Sequence, residues 1–191
     1  MDNALAQRFR AHLAQTISLS DEEFAAIITK FQQQSYAKYV QVFREGDRVN
    51  AVYFVLNGLL KLVYHDDAGK QHILSFAMED WWETDFHAFF KHQPSKLSLI
   101  CLERCDLLQL SHENYQKLCL AFPSFERFLL QKSIAGNMAA QNRILSLLTS
   151  QAKERYEQLL ASYPQLLQRL SKTQLAAYLG VSRETLSRLY R

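Results

Sequence analysis

The sequence predicts an α+β chain in which a roll or barrel of short strands is followed by one long helix and a C-terminal helix-turn-helix. Three observations predict it. Short β-rich runs alternate with turn signals between Tyr39 and Leu110, and Gly46, Gly58 and Gly69 fall at near-even intervals, which suits a β-roll better than a βαβ sheet. Helical periodicity then runs from Phe125 to about Thr149. The segment from Ser171 to Arg191 holds two capped helices around a glycine.

The N-terminus reads as helix. Ser20 and Glu23 form a capping box ahead of Phe24, Ile27, Ile28 and Phe31, which recur at helical spacing. After Ser35 the pattern changes to strands, expected at Tyr39–Phe43, Ala51–Leu56, Leu59–Tyr64, Gln71–Ala77, Leu97–Leu102 and Leu107–Leu110. Glu45-Gly-Asp47, Asn57-Gly58 and Asp66-Asp-Ala-Gly69 are the turns between them. From the N-cap Ser111 the chain returns to helix, with breaks at Pro123 and Pro164. In the long helix Ile134, Met138, Gln141, Leu145, Leu148 and Ala152 alternate steps of four and three, the seam of a helix that pairs with a second copy of itself.

The C-terminal motif carries the clearest chemistry. Ser171 and Gln174 form another capping box, opening a helix that turns Leu175, Ala176 and Leu179 inward. Gly180 ends it in a left-handed conformation, Val181 plugs the angle between the helices, and Ser182 caps the next one. Leu186 and Leu189 then face the first helix and leave Arg183, Glu184, Ser187, Arg188 and Arg191 on the opposite side. Arginine can fork onto guanine O6 and N7, glutamate can accept from cytosine N4, and hydroxyls can hold phosphates. Double-stranded DNA is the partner this face predicts. Arg183, Glu184 and Arg188 are the expected base readers, with Ser171, Thr173, Ser182, Ser187 and Arg191 nearer phosphates.

Composition limits the remaining classes. A chain of 191 residues with 48% hydrophobic content can bury a substantial core, and its net charge of +3 is too modest to mark a nucleic-acid protein by itself. The basic character is local: beyond Leu167, Arg169, Lys172, Arg183, Arg188 and Arg191 are set against Glu184 alone. The odd set Cys101, Cys105 and Cys119, with Arg8 and Arg10 interrupting any apolar leader, points to a reducing cytoplasm. No apolar run approaches a membrane span. There is no phosphate loop, no paired nucleophile and base, and no metal-ligand spacing at His87 or His92, so neither an enzyme nor a cofactor is expected.

In this order, the β-roll, long helix and helix-turn-helix resemble the cyclic-AMP receptor protein and fumarate-nitrate reduction regulator (Crp/Fnr) family of bacterial transcription factors. The resemblance is most specific at Phe43-Arg-Glu-Gly-Asp47, Tyr53-Phe-Val-Leu-Asn-Gly58 with Leu59-Leu-Lys-Leu-Val63, and Leu179-Gly-Val-Ser-Arg-Glu-Thr-Leu-Ser-Arg188. It implies a cyclic-nucleotide-binding-like double-stranded β-helix over residues 1–122, a dimerisation helix over 123–149 and a DNA-binding domain over 150–191. It further implies a homodimer, with RNA polymerase as a possible partner.

The effector region departs from the family pattern. Members that bind cyclic nucleotide carry a Gly-Glu pair for the ribose and an arginine that clamps the phosphate. Here Glu83 stands at the ribose position, Trp82 replaces the glycine, Ser95 falls where the arginine belongs, and Lys96 points to the opposite face. Glu79, Asp80, Glu83 and Asp85 add repulsion toward an anion. Loss of cyclic-nucleotide binding is therefore expected, the alternative being a regulator gated by a nucleotide or another small molecule. Cys101 and Cys105 read as buried filler, and no cysteine precedes them where family iron-sulfur sensors hold theirs. Members usually continue into a β-hairpin wing. With Arg191 the last residue, fewer phosphate contacts are expected, each lost contact lowering the salt slope by roughly 0.9.

Overall fold

A computed structural model of the chain describes residues 3–189. Helices α1 (Asn3–Ala14) and α2 (Asp21–Ile28) come first. The capping box at α2 is present: Ser20 Oγ accepts the Glu23 N–H at 3.1 Å and the Glu23 carboxylate accepts the Ser20 N–H at 2.8 Å. Eight strands follow: β1 (Phe31–Tyr36), β2 (Gln41–Phe43), β3 (Ala51–Asn57), β4 (Leu60–His65), β5 (Gln71–Ala77), β6 (Trp82–Glu83), β7 (Ser98–Cys101) and β8 (Cys105–Ser111). They pair antiparallel in two four-stranded sheets, ordered β1-β8-β3-β6 and β2-β7-β4-β5. The chain thus switches sheets repeatedly, which is the roll that the evenly spaced turns predict.

Gly58 shows why one of those turns needs glycine. Its φ is +106°, and a β-carbon would lie 2.5 Å from the Arg104 carbonyl oxygen and 2.7 Å from Cys105 Sγ. Backbone and a buried thiol leave no room, so the β3–β4 and β7–β8 turns close on each other only over a residue without a side chain.

Two elements depart from the expectation. Phe31 belongs to β1 and not to α2, because α2 stops at its C-cap Thr29 and the glutamines that follow find their backbone partners on β8. Ladder pairing overrides a polar composition that carries little strand propensity. A short helix, α3 (Phe86–Lys91), fills the space before β7; its N-cap Asp85 accepts the Ala88 N–H at 3.0 Å.

The core of the roll is aromatic. Phe9 of α1, Phe54 of β3 and Trp82 of β6 meet with ring centroids 5.0 to 6.1 Å apart, and Phe128 completes the group from below. Phe128 belongs to α5 (Pro123–Thr149), which follows α4 (His112–Ala121) and starts with Pro123 in its first turn. Phe125, Phe128 and Leu129 bury its first turns in the roll. Beyond them Leu130, Ile134, Met138, Leu145 and Leu148 are 51 to 78% exposed and form one apolar stripe. Ala152, read as part of that stripe, lies past the end of the helix, where Ser150 turns extended.

The C-terminal head consists of α6 (Ala152–Ser162), α7 (Pro164–Arg169), α8 (Lys172–Leu179) and α9 (Arg183–Leu189). It packs on the outer face of the β2-β7-β4-β5 sheet. Val63, Ile73 and Phe76 of the roll share one apolar cluster with Leu166, Leu175 and Leu179 of the head. Trp81 meets Tyr163 edge-on at 5.1 Å, and Phe76 meets Tyr178 at 5.0 Å. No helix among the described residues is long and apolar enough to cross a membrane.

His12 is the oddity of this core. It is 4% exposed against Phe54 and Phe128, and neither ring nitrogen has a hydrogen-bond partner among the described residues. Burial first, and the Lys132 charge second, lower its pKa to about 4. The folded chain therefore keeps the ring neutral, and stability drains away as pH falls from the ordinary histidine value toward 4, where only the unfolded chain takes up the proton. Replacing His12 with Leu removes two unpaired buried atoms and is expected to stabilise the protein by about 1 to 3 kcal/mol at pH 7. The gain should widen toward pH 5 in urea titrations, and a variant less stable than the parent at pH 5 would refute this account.

Candidate nucleic-acid interface and effector region

Helices α8 and α9 form the predicted helix-turn-helix. Ser171 Oγ accepts the Gln174 N–H at 3.2 Å while Gln174 Oε1 accepts the Ser171 N–H at 3.0 Å. At the other end Gly180 is left-handed, with φ 69°, and the Val181 N–H donates back to the Ala176 carbonyl at 3.0 Å. That closure satisfies carbonyls the helix would otherwise leave bare. Val181 packs against the apolar cluster of the head, and Ser182 Oγ accepts the Thr185 N–H at 3.1 Å to start α9. Leu186 is completely buried beneath the turn.

The outward face is polar. Arg183, Glu184 and Arg188 are exposed, Ser187 is half-buried, and the four frame a concavity of about 330 Å³. The Glu184 carboxyl is held below its usual range by its own backbone N–H and the Ser182 hydroxyl, with the Arg183 and Arg188 charges adding to this. Arg188 reaches Thr185 Oγ1 at 3.4 Å, a long contact that leaves its donors available. Thr173 is exposed on α8, and Ser171 and Ser182 sit at the N-terminal caps of the two helices. Arg191 lies outside the described residues. Two guanidinium groups and one carboxylate on a single short helix face supply both donors and acceptors for base edges.

Arg169 does not belong to this basic face. It turns toward the roll, where its guanidinium pairs with Glu79 at 2.6 Å and Glu103 at 2.7 Å. Sequence position gives no hint of this, since both carboxylates lie far away along the chain.

The four residues of the expected effector pocket are not a free binding set. Trp82 points into the aromatic core, and Glu83, its neighbour on a two-residue strand, faces away from it. Glu83 is buried and already engaged: its carboxylate accepts from the Ser75 hydroxyl at 2.6 Å and from the Thr84 N–H at 3.1 Å. Burial pushes its pKa up to about 7. Ser95 is 3% exposed and spends its hydroxyl on Asp85 Oδ2 at 2.7 Å, accepting the Leu97 N–H at 3.0 Å in return. Lys96 is exposed on the bend before β7. Of the four carboxylates expected to repel an anion, Glu79 is neutralised by Arg169 and Asp80 by Arg8, whose forked contacts measure 3.0 and 3.1 Å. Of the other two, burial shifts Glu83 toward its neutral form and Asp85 accepts the Ser95 hydroxyl.

Cys101 and Cys105 are both buried and reduced, and hydrogen bonding between them and burial raise the Cys101 thiol pKa. Cys105 Sγ also contacts the Leu59 carbonyl at 3.5 Å, so the pair works as packing and capping at the β7–β8 turn.

The geometry is matched by known proteins. Residues 33–122 match the family model of the cyclic nucleotide-binding domain. The CRP-like protein Clp of Xanthomonas euvesicatoria pv. vesicatoria is 24% identical over 175 residues, spanning 82% of this chain and 75% of that one. Among solved structures, FixK2 from Bradyrhizobium japonicum superposes with a TM-score of 0.74 at 18% identity over 84% of this chain and 82% of its own. The c-di-GMP responsive global regulator CLP of Xanthomonas campestris gives 0.69 at 19% identity over 98% and 89%. The catabolite activator protein of Thermus thermophilus gives 0.59 at 24% identity over 94% and 84%.

Glu83 generates a prediction of its own. Because its folded pKa is raised from 4.5 to about 7, the folded chain binds the extra proton between those values, and stability falls as pH rises through that window. Glu83→Gln removes the charge while its Oε1 can accept the Thr84 N–H and its amide can donate to Ser75 Oγ. It is expected to match the parent near pH 4 and to exceed it by about 3 kcal/mol above pH 8 in denaturant titrations. A difference independent of pH would show that Glu83 does not titrate in that window.

Proposed function

We propose that this chain, a member of the cyclic-AMP receptor protein and fumarate-nitrate reduction regulator family, is a homodimeric, sequence-specific DNA-binding transcription regulator. Its effector region has lost cyclic-nucleotide binding. One observation carries the reading: a capped recognition helix, α9, is seated on its partner α8 by the buried Leu186 and presents Arg183, Glu184 and Arg188 to solvent. Entry by the N-terminal end into the major groove places Arg183 and Glu184 nearest the bases and Arg188 one turn behind. Ser171, Thr173, Ser182, Ser187 and Arg191 then serve the phosphates.

The same reading divides the chain at 1–122, 123–149 and 150–191 into roll, dimer helix and DNA-binding head, and places it in the cytoplasm. The exposed stripe from Leu130 to Leu148 supports pairing of two α5 helices, since a monomer would leave a continuous apolar seam in water. Two heads related by a two-fold axis then read two half-sites. Loss of nucleotide binding is supported by the occupied Glu83 and Ser95, because an incoming phosphate diester would displace internal hydrogen bonds and meet the Asp85 carboxylate that Ser95 holds.

Selection of randomised duplex DNA by the purified, ligand-free protein is the direct test. A palindrome is expected. Enrichment that appears only with cyclic AMP, cyclic GMP or cyclic di-GMP would replace this reading with the ligand-gated one, and enrichment under none of these conditions would refute DNA reading. On the selected site Arg188→Ala is expected to cost about 1 to 3 kcal/mol and to relax one base pair in each half-site. Uniform weakening on all sequences would make Arg188 a phosphate contact instead. Met138→Glu with Leu145→Glu is expected to convert the dimer to a monomer in sedimentation, and a dimer that survives both charges would place the interface elsewhere.

A further inference from the structure

The head is joined to the roll by more than an apolar face. Arg169 is the last residue of α7 and lies two positions before Ser171, the cap of the first reading helix. Its guanidinium makes four bonds. Nη1 and Nη2 donate to the two oxygens of Glu79 at 2.6 and 3.1 Å, and Nε and Nη2 donate to the two oxygens of Glu103 at 3.0 and 2.7 Å. The carboxylates come from two different loops, one between β5 and β6 and one between β7 and β8. Glu79 is itself pinned, since its Oε1 also accepts the Gly58 N–H at 2.8 Å. All three side chains are about a quarter to a third exposed, so water competes only partly for these bonds.

A second arginine secures the other side. Arg143 of α5 donates to the Ile73 carbonyl on β5 at 3.0 Å and to the Tyr178 carbonyl on α8 at 2.9 Å, with its guanidinium carbon 3.5 Å from the Tyr178 ring centre. One residue thus touches the dimer helix, the roll and the head. Apolar burial would hold the head on the sheet in any of several rotations, because it has no direction. A planar fork between two fixed carboxylates allows one.

We propose that Arg169 is a positioning residue for DNA reading: it locks the helix-turn-helix to the roll in a single orientation, so that the spacing of the two recognition helices is set without a ligand. The role rests on the reading of the chain as a DNA-binding dimer. Arg169 touches no base; it acts through the placement of α8 and α9. A locked head lowers the ordering cost of binding but makes the dimer intolerant of altered half-site spacing, because each added base pair moves and rotates the second half-site.

The test varies spacing. Parent, Arg169→Gln and Arg169→Lys are titrated with the selected palindrome and with versions lengthened by one and two base pairs, at one salt concentration. The parent should lose about tenfold or more in affinity per added pair, whereas Arg169→Gln should bind the best site about tenfold more weakly and distinguish the three spacings by no more than about threefold. Arg169→Lys keeps the charge without the fork and should fall between them. Glu103→Gln, which removes one partner from the more exposed side, should act as Arg169→Gln does but less strongly. Equal loss at every spacing would mean that Arg169 merely stabilises the head, and it would overturn the proposal.

Hydrogen exchange without DNA forms a separate arm. In Arg169→Gln, amides of α8 and of the Gly58 turn should exchange faster while α4 and β8 stay as in the parent. Unchanged exchange there overturns the lock whatever the DNA arm gives. A parent that binds no duplex removes the role in reading along with the premise it rests on, and the exchange arm still decides whether the lock exists.

Discussion

The seating of the first turns of α5 governs the rest of the molecule. Phe125, Phe128 and Leu129 enter the roll beside Phe9, Phe54 and Trp82, and nothing farther along the helix is buried to the same degree. A helix rises 1.5 Å per residue, so this anchor fixes where the apolar stripe emerges and where the head must begin. The core tolerates His12 within that joint at an energetic cost, which indicates how strongly the surrounding rings determine the packing.

Charge is arranged in the same economical way. Of the carboxylates on the roll's loops, those nearest the head and α1 meet a cation: Glu79 and Glu103 share Arg169, and Asp80 pairs with Arg8. Burial alone would push the Glu79 carboxyl up. The Arg169 fork and two backbone N–H donors outweigh it and leave the group below its ordinary value. Glu83 has no cation beside it among the described residues and moves in the opposite direction. The contrast between Glu79 and Glu83 separates a carboxylate used as a joint from one sealed within the fold.

Much of this was legible in the residues, and the failures have physical causes. Capping boxes at Ser20 and Ser171 and the Gly180 stop are local chemistry, and local chemistry survives folding. The β-rich runs sit close to their expected bounds because their apolar residues fill the roll from both faces. β1 escaped notice because a glutamine-rich strand is held by pairing with β8, which no window of the sequence contains. Arg169 counts toward the local positive charge in the sequence, yet its charge is spent on Glu79 and Glu103, partners set by tertiary contact across the chain. Where Trp82, Glu83 and Ser95 stand was readable as a departure from a family pattern. That Ser75 occupies Glu83 and Asp85 occupies Ser95 was not, since those bonds join residues brought together by the turns.

The cramped Gly58 turn carries a consequence for inheritance. Its amide holds Glu79, and Glu79 holds Arg169, so the space that excludes a β-carbon is linked bond by bond to the residue two positions before the cap of α8. A missense change at codon 58 would force the two turns apart and loosen Glu79 from its seat. Under the proposed function, such an allele would score with lesions of α9 in a screen for lost regulation, although it lies in another part of the molecule. Second-site suppressors should then cluster among the residues that hold the roll against the head.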